Sequence, residues 1–339
     1  MPPTSATART PVRVGDAGGW TDTWFAGRGL VCSVAVGPAV EVTVRRVDGP
    51  PGRVRLDVAT FGERYGFALD RPPGRHPLLE AALVRWAPRD AALEVDTASA
   101  VPPGSGLGTS AAVVVALVAA LGALAGEAPD ADAAARRAHE VETVELGWQS
   151  GVQDQQAAAH GGALRIEIDP YPSPRVTPIA VPEAAWLALD RRLVTVYLGR
   201  PHRSSTLHEQ VITALGDGRA DAPGRRLDVL RRAAALAADA LADGDLAAYG
   251  AALTAATEGQ RALHADLVSG EADAVWALAR RCGALGWKVN GAGGPGGSVT
   301  AVLDDDGADA LTRAVTDAGR GWRTLDLHPS AHGLTLVTT

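Results

Sequence analysis

With 339 residues the chain has room for two domains and a sizeable core, but its 32 basic and 39 acidic side chains give a formal net charge of −7 with no basic block, which excludes the electrostatic footprint of a nucleic-acid binder. Two cysteines, Cys32 and Cys282, are too few for a disulfide framework and are not spaced as a metal knuckle, which suits a reducing cytosol. The N-terminal run lacks the apolar core of a secretion signal, and the alanine-rich stretch 111–125 is too short to span a bilayer, so a cytoplasmic protein with neither nucleic-acid nor membrane partners is expected.

The first segment with chemical content is Thr10-Pro-Val-Arg-Val-Gly-Asp-Ala-Gly-Gly-Trp-Thr-Asp22, in which Arg13 stands nine residues ahead of Asp22 across a Gly-Gly turn. Residues 31–47 alternate as Val34, Val36, then Val40, Val42 and Val44, predicting two strands broken at Gly37-Pro38. Leu93 and Val95 mark a strand that feeds Val101-Pro-Pro-Gly-Ser-Gly-Leu-Gly-Thr-Ser-Ala-Ala112. Glycines at 104, 106 and 108 permit positive φ and close backbone approach, and the helix that follows presents N–H groups with no intrahelical acceptor. Its dipole adds roughly half a positive charge at that end, so this strand, turn and helix form a cradle for an anionic phosphate. Thr109 and Ser110 offer hydroxyls there.

Residues 131–146 read as a helix, within which Glu140, Glu142 and Glu145 would by default form a solvated face. Strands are expected at 164–168 and 193–198, the second running into Tyr197-Leu-Gly-Arg-Pro-His-Arg-Ser-Ser205. From 225 to 267 the pattern predicts two helices broken at Asp243-Gly244, and a third helix is expected over 271–285, ended by Gly286. Lys288-Val-Asn-Gly-Ala-Gly-Gly-Pro-Gly-Gly-Ser298 then makes a glycine turn ahead of a strand at 299–303, a helix at 308–318 and strand-like runs at 324–327 and 334–337, an order that suits a split β-α-β sheet. Lys288 is the chain's single lysine, so a specific ammonium role and simple chance both stand open. His328 and His332 are four apart, but Pro329 and Gly333 argue against the helix that would aim them at one metal.

The loop at 102–112 is neither GxxxxGK[ST] nor GxGxxG. The string Pro102-x-x-x-Gly106-Leu107-Gly108-Thr109-Ser110-Ala111-Ala112 resembles the second motif of the GHMP kinases. The 10–22 segment is similar to that family's first motif, and its Gly-Gly-Trp-Thr-Asp form resembles the fucokinase and heptose-phosphate kinase branch, departing from the Gly-Glu-His of galactokinase. The 288–298 run resembles the third motif, interrupted by Pro295. Gly151-Val-Gln-Asp-Gln155 resembles the Gly-x-Gln-Asp-Gln signature of the heptose-phosphate kinase branch.

The resemblance implies a two-domain α+β fold, with a ribosomal-S5-like N-terminal domain over 1–180 and a ferredoxin-like C-terminal domain over 181–339. It implies an ATP-dependent kinase acting on a sugar or sugar-phosphate hydroxyl, the anomeric one in the nearest branch; the alternative is a catalytically silent nucleotide and sugar sensor. ATP would lie on Pro103, Gly104, Ser105, Gly106, Leu107, Gly108, Thr109 and Ser110, and on Gly291, Ala292, Gly293 and Gly294. Mg2+ would be held by Ser110 and Glu142, with Glu140 and Glu145 as alternatives to the latter. Asp154 takes the catalytic carboxylate's place beside Arg13. Substrate contacts fall to Gly19, Trp20, Thr21, Asp22, Gln153 and Arg203, although an ordinary basic loop accounts equally well for Arg203. Oligomeric state is left open, a homodimer included.

Overall fold

The computed structural model describes residues 3–200, 209, 211–213 and 223–339. Arg203, with its neighbours in the 201–208 stretch, therefore lies outside the described residues. In chain order the first half builds β1 (Ser5–Ala17), β2 (Gly29–Val47), β3 (Arg53–Val58), β4 (Glu63–Ala68), α1 (Pro77–Trp86), β5 (Ala92–Ser99), α2 (Thr109–Leu124), α3 (Ala131–Glu140), α4 (Gln153–His160), β6 (Ala163–Ile168) and β7 (Pro174–Pro178). The second half continues with α5 (Glu183–Arg192), β8 (Leu193–Tyr197), α6 (Pro223–Asp243), α7 (Leu246–Leu263), α8 (Gly270–Arg281), β9 (Ala284–Val289), β10 (Ser298–Leu303), α9 (Gly307–Asp317), β11 (Arg323–Leu325), β12 (His328–Pro329) and β13 (Thr335–Thr338).

One sheet runs β13-β1-β2-β5-β3-β4, with β6, β7 and β12 attached through β2; the other runs β11-β8-β10-β9. The apolar stretch after the first glycine loop became α2 because it is needed on every side. It packs on β1 and β2 below and touches α1, α3 and α4 around it, and residues from Ala111 to Leu124 are buried almost without exception. A helix apolar all round is stable only when fully enclosed. Each of Leu117, Leu121 and Leu124, at 0% exposure, contributes roughly 1.5–3 kcal/mol through burial. The Thr10 hydroxyl on β1 donates to the Ala112 carbonyl at 2.9 Å, so the helix start is pinned to the strand that carries Arg13.

Three expectations are corrected. Gly37-Pro38 does not split two strands: β2 is continuous, and the local irregularity is a register shift against β1 between the Thr10–Val40 and Val12–Val36 pairs. The partner strand and β12 continue the ladder across that point, which overrides the local breaker signal. The third C-terminal helix ends at Arg281 rather than at 285, because Gly283 takes φ 80 and Cys282 closes the last turn. Leu285 and Gly286 instead enter β9, where a Cβ on Gly286 would strike the Gly250 carbonyl of α7 at 1.8 Å. Finally, the run at 334–337 leaves the C-terminal sheet and pairs with β1 as β13. The helix pair broken at Asp243-Gly244 matches α6 and α7, with Asp245 capping α7 through the Ala247 and Ala248 N–H groups.

Candidate active site

A cleft of about 330 Å³ opens where the end of β1, the loop before α2, the 142–154 segment and the turn after β9 converge. The sequence motifs are far apart in the chain, but the two sheets bring them to one rim. Gly106 and Gly108 take φ 77 and 75, and Gly108 precedes α2 without a side-chain cap, leaving the first-turn N–H groups open to the cleft. The hydroxyls of Ser105 and Thr109 are buried at the cleft wall with no hydrogen-bond partner among the described residues. Open amides at a helix dipole's positive end and two orphaned hydroxyls fit the oxygens of a phosphate chain.

Arg13, only 3% exposed, reaches from β1 into this loop. Its Nε donates to Asp154 Oδ1 at 2.8 Å, Nη1 donates to the Gly106 carbonyl, and its peptide N–H donates to Leu107 O at 3.1 Å. Burial by itself would lower its pKa, yet Asp154, Asp16 and Asp22 raise it above the ordinary arginine value. Asp154 sits in the first turn of α4 against Gly108, whose absent Cβ would lie 3.1 Å from the carboxyl carbon. An acidic group in a helix's first turn is favoured by the dipole.

Asp22 follows the Gly-Gly-Trp-Thr turn and is almost fully buried. It accepts the Gln153 N–H at 3.1 Å, and Gly151 must be glycine because a Cβ would meet its Oδ2 at 2.0 Å. Burial, with Asp154 nearby, pushes Asp22 up to about 6, while the Gln153 N–H pulls the other way. Trp20 is the single non-glycine residue at positive φ among the described residues, at 76°. A bulky side chain there carries backbone strain that its surroundings must hold. Its ring packs with Val211, Leu227, Leu230, Leu263 and Leu267 while also lining the cleft. Gly19 and Gln153 line it too, and Gln153 Oε1 has no hydrogen-bond partner among the described residues. Thr21 does not line the cleft: its hydroxyl donates to Gly18 O at 2.7 Å and closes the turn from behind.

Of the three candidate glutamates, Glu142 is the one at the cleft. Helix α3 passes into a π turn at Val141–Glu145, a local widening common at functional positions, and this aims Glu142 inward. Burial pushes Glu142 up to about 7, against hydrogen bonds from Ser150 and Gln155 that favour its charged form. Glu140 pairs with Arg136 at 3.5 Å and Glu145 with Arg85 at 3.2 Å, both away from the cleft. Ser110 lines the same cleft.

In the third glycine turn, Gly291 and Ala292 line the cleft, whereas Gly293 and Gly294 pack behind it on Leu267, whose carbonyl accepts the Gly294 N–H at 2.9 Å. Pro103 does not reach the lining. The Gly291 N–H is itself engaged by Asp16. The turn backs the phosphate loop directly: a Cβ on Gly106 would lie 2.8 Å from Asn290 O, and Ser298 Oγ donates to Ser105 O at 2.7 Å. Residues not singled out from sequence are Asp16, Thr23, Leu78, Trp148, Gln149 and Ser150. All of these but Asp16 line the cleft, and Asp16 lies beneath it; Trp148 to Ser150 directly precede the Gly151–Gln155 motif and carry no local signal of their orientation. Among the described residues no helix is long and apolar enough to cross a membrane.

Known proteins match this geometry along nearly the whole chain. The family model for the GHMP kinases N-terminal domain matches residues 78–162, and that for the GHMP kinases C-terminal domain matches residues 237–321. A galactokinase from Mycobacterium tuberculosis is 31% identical over 83% of each chain. The D-glycero-alpha-D-manno-heptose 7-phosphate kinase of Campylobacter jejuni is 25% identical over 85% of this chain and 86% of its own. Among solved structures, a D-glycero-D-manno-heptose 1-phosphate kinase from Bacteroides thetaiotaomicron superposes with a TM-score of 0.78 at 20% identity, covering 98% of this chain and 99% of that one, which speaks to the fold. With both family domains matched in order and a relative above 30% identity along most of its length, the chain belongs to the GHMP kinases.

Proposed function

We propose that the protein transfers the terminal phosphoryl group of ATP to a sugar hydroxyl, with Mg2+ as the counter-ion. The observation that carries this reading is the Arg13–Asp154 pair, held at 2.8 Å between the phosphate loop and the Asp22 turn. Phosphoryl transfer asks little covalent chemistry of a protein, so catalysis rests on positioning and charge neutralisation. The open amides of α2, with Ser105 and Thr109, would bind phosphate oxygens. Asp154 would take or orient the acceptor hydroxyl's proton, and the Arg13 guanidinium would hold that carboxylate at the phosphate loop. Asp22, Gln153 and Trp20 would grip the acceptor.

Among the described residues lining the cleft, Arg13 is the one cation, facing Asp22, Glu142 and Asp154. A phosphate chain would add more negative charge, which a divalent ion would offset, and Ser110 and Glu142 would supply oxygen donors to it. Such an ion neutralises charge on the phosphates when bound. The same balance favours a neutral sugar over a sugar phosphate, since Arg13 is already committed to Asp154 and the Gly106 carbonyl. The likeness of Gly-Gly-Trp-Thr-Asp to the fucokinase form makes the anomeric hydroxyl the acceptor to test first.

The test is ADP release across free hexoses, deoxyhexoses, heptoses and their phosphates. Turnover of a free sugar supports the reading. Selective turnover of a heptose phosphate overturns the neutral-sugar preference, and nucleotide binding with no turnover of any of them favours the silent sensor.

A further inference from the structure

The transfer chemistry leaves one charged cluster unused. Asp16 is fully buried three residues past Arg13, where β1 shifts register against β2 between Val14 and Ala17. Such bulges re-aim side chains. Here the carboxylate points into the seam between the two halves of the molecule. It accepts the Gly291 N–H on both oxygens at 3.2 and 3.1 Å, and stands 3.8 Å from Lys288 Nζ and 3.8 Å from Arg13 Nη1. Lys288 in turn donates to Gln260 Oε1 at 2.7 Å, and Gln260 Nε2 donates to the Gly291 carbonyl at 3.1 Å. The contacts close a ring from β1 through the third glycine turn, α7 and β9 back to Asp16. Gly291 is held at both its N–H and its carbonyl, and it is Gly291 that abuts the phosphate loop, where a Cβ would meet Gly106 O at 2.9 Å.

Buried ion pairs are weak sources of stability, because desolvation offsets most of the attraction and apolar replacements of similar size serve as well. Stability alone is a poor account of a ring that joins the chain's single lysine to the strand carrying Arg13. We propose that Asp16 is a positioning residue: it sets Arg13, and through it Asp154, in register with the third glycine turn that backs the phosphate loop. The proposal rests on the sugar-kinase reading above and adds a residue outside the cleft to that machinery.

The experiment compares Asp16→Asn, Lys288→Met, the double variant and Gln260→Leu in steady-state kinetics with the best sugar, alongside thermal unfolding. In Asp16→Asn, kcat falls by about 10²-fold, the scale of a reacting group displaced by roughly 1 Å, while KM for ATP and sugar changes little. Its melting temperature falls as well, because Lys288 is left buried without its anion. In the double variant, with both charges gone, the melting temperature recovers but kcat stays low. If Asp16→Asn does not fold, Gln260→Leu opens the ring at a neutral member and lowers kcat by about tenfold. Wild-type kcat in Asp16→Asn or Gln260→Leu overturns the proposal, as does a double variant whose kcat recovers together with its melting temperature. A wild-type protein that turns over no sugar overturns the kinase reading and this role with it, whereas wild-type kcat in the variants overturns this role alone.

Discussion

Replacing Gly108 with alanine probes the contact on which the proposed chemistry depends. Gly108 holds φ 75 at the start of α2, and a Cβ there would lie 3.1 Å from Asp154 Cγ and 3.2 Å from Oδ2. Two costs follow. A left-handed backbone costs a non-glycine residue about 1–2 kcal/mol, which lowers the melting temperature modestly. The second cost falls on catalysis: ordinary van der Waals contact begins near 3.4 Å, so the carboxylate must retreat by a few tenths of an ångström from a place fixed by Arg13 Nε. Since roughly 1 Å of misplacement costs on the order of 10²-fold, kcat falls about tenfold. Gly62→Ala is the control, because Gly62 also holds a positive φ, at 63°, but a Cβ there meets nothing within 4 Å. It loses comparable stability and keeps its kcat. The assay is coupled ADP release at saturating ATP and sugar, with unfolding followed by calorimetry. Wild-type kcat in Gly108→Ala, or an equal loss of kcat in Gly62→Ala, refutes the argument.

Asp154→Asn lowers kcat by roughly 10²- to 10⁴-fold while nucleotide affinity measured by calorimetry stays near wild type; near-normal turnover removes Asp154 from the mechanism. Glu142, held at about 7 against 4.5 for a free side chain, binds its proton more readily folded than unfolded, so its contribution to stability declines as pH rises from 4.5 to about 7 and is constant above. Glu142→Gln flattens that slope in pH-dependent unfolding curves and raises the Mg2+ concentration needed for half-maximal rate; an unchanged magnesium titration moves the metal site elsewhere. Glu80, in the first turn of α1, accepts from Tyr65 Oη at 2.6 Å and from the N–H groups of Gly74, Arg75 and His76. Burial alone would raise its pKa, but those bonds hold it below the usual value, so its stabilisation is present at neutral pH and lost on acidification. Glu80→Ala strands these donors and costs about 3 kcal/mol or more in denaturant unfolding; a loss under about 1 kcal/mol contradicts the accounting.

The motifs were legible in the sequence because each depends on a local backbone requirement. Gly104, Gly106 and Gly108 all take positive φ, and the strand, turn and helix around them fall where hydrophobic spacing puts them. Asp22, Asp154 and Glu142 belong to short segments whose order alone marks them. What local pattern could not show is which way a turn faces once the halves meet. Gly293, Gly294 and Thr21 sit in the right segments but turn into packing, on Leu267 in the first two cases and on Gly18 and Leu30 in the third. The return of β13 to β1 was hidden for a related reason. Its run of residues is a short strand, and strand pairing across more than 300 residues leaves no trace in periodicity.

Asp16 shows the limit most directly. A carboxylate between two glycine-rich turns reads as a solvated loop residue, since burial of such a group is rare without a partner. Its partners, Gly291, Lys288 and Arg13, come from both halves of the chain and converge only after both sheets have formed. Burial holds the Lys288 ammonium below the usual lysine range, with Asp16 pulling it up and Arg13 pushing it down, so neither charge would be tolerated there alone. The single lysine of the chain was visible as an oddity. Its meaning lies in the seam: the two halves join where their glycine turns allow backbone to touch backbone, and the buried Asp16–Lys288 pair stands beside that contact, where the third glycine turn backs the phosphate loop.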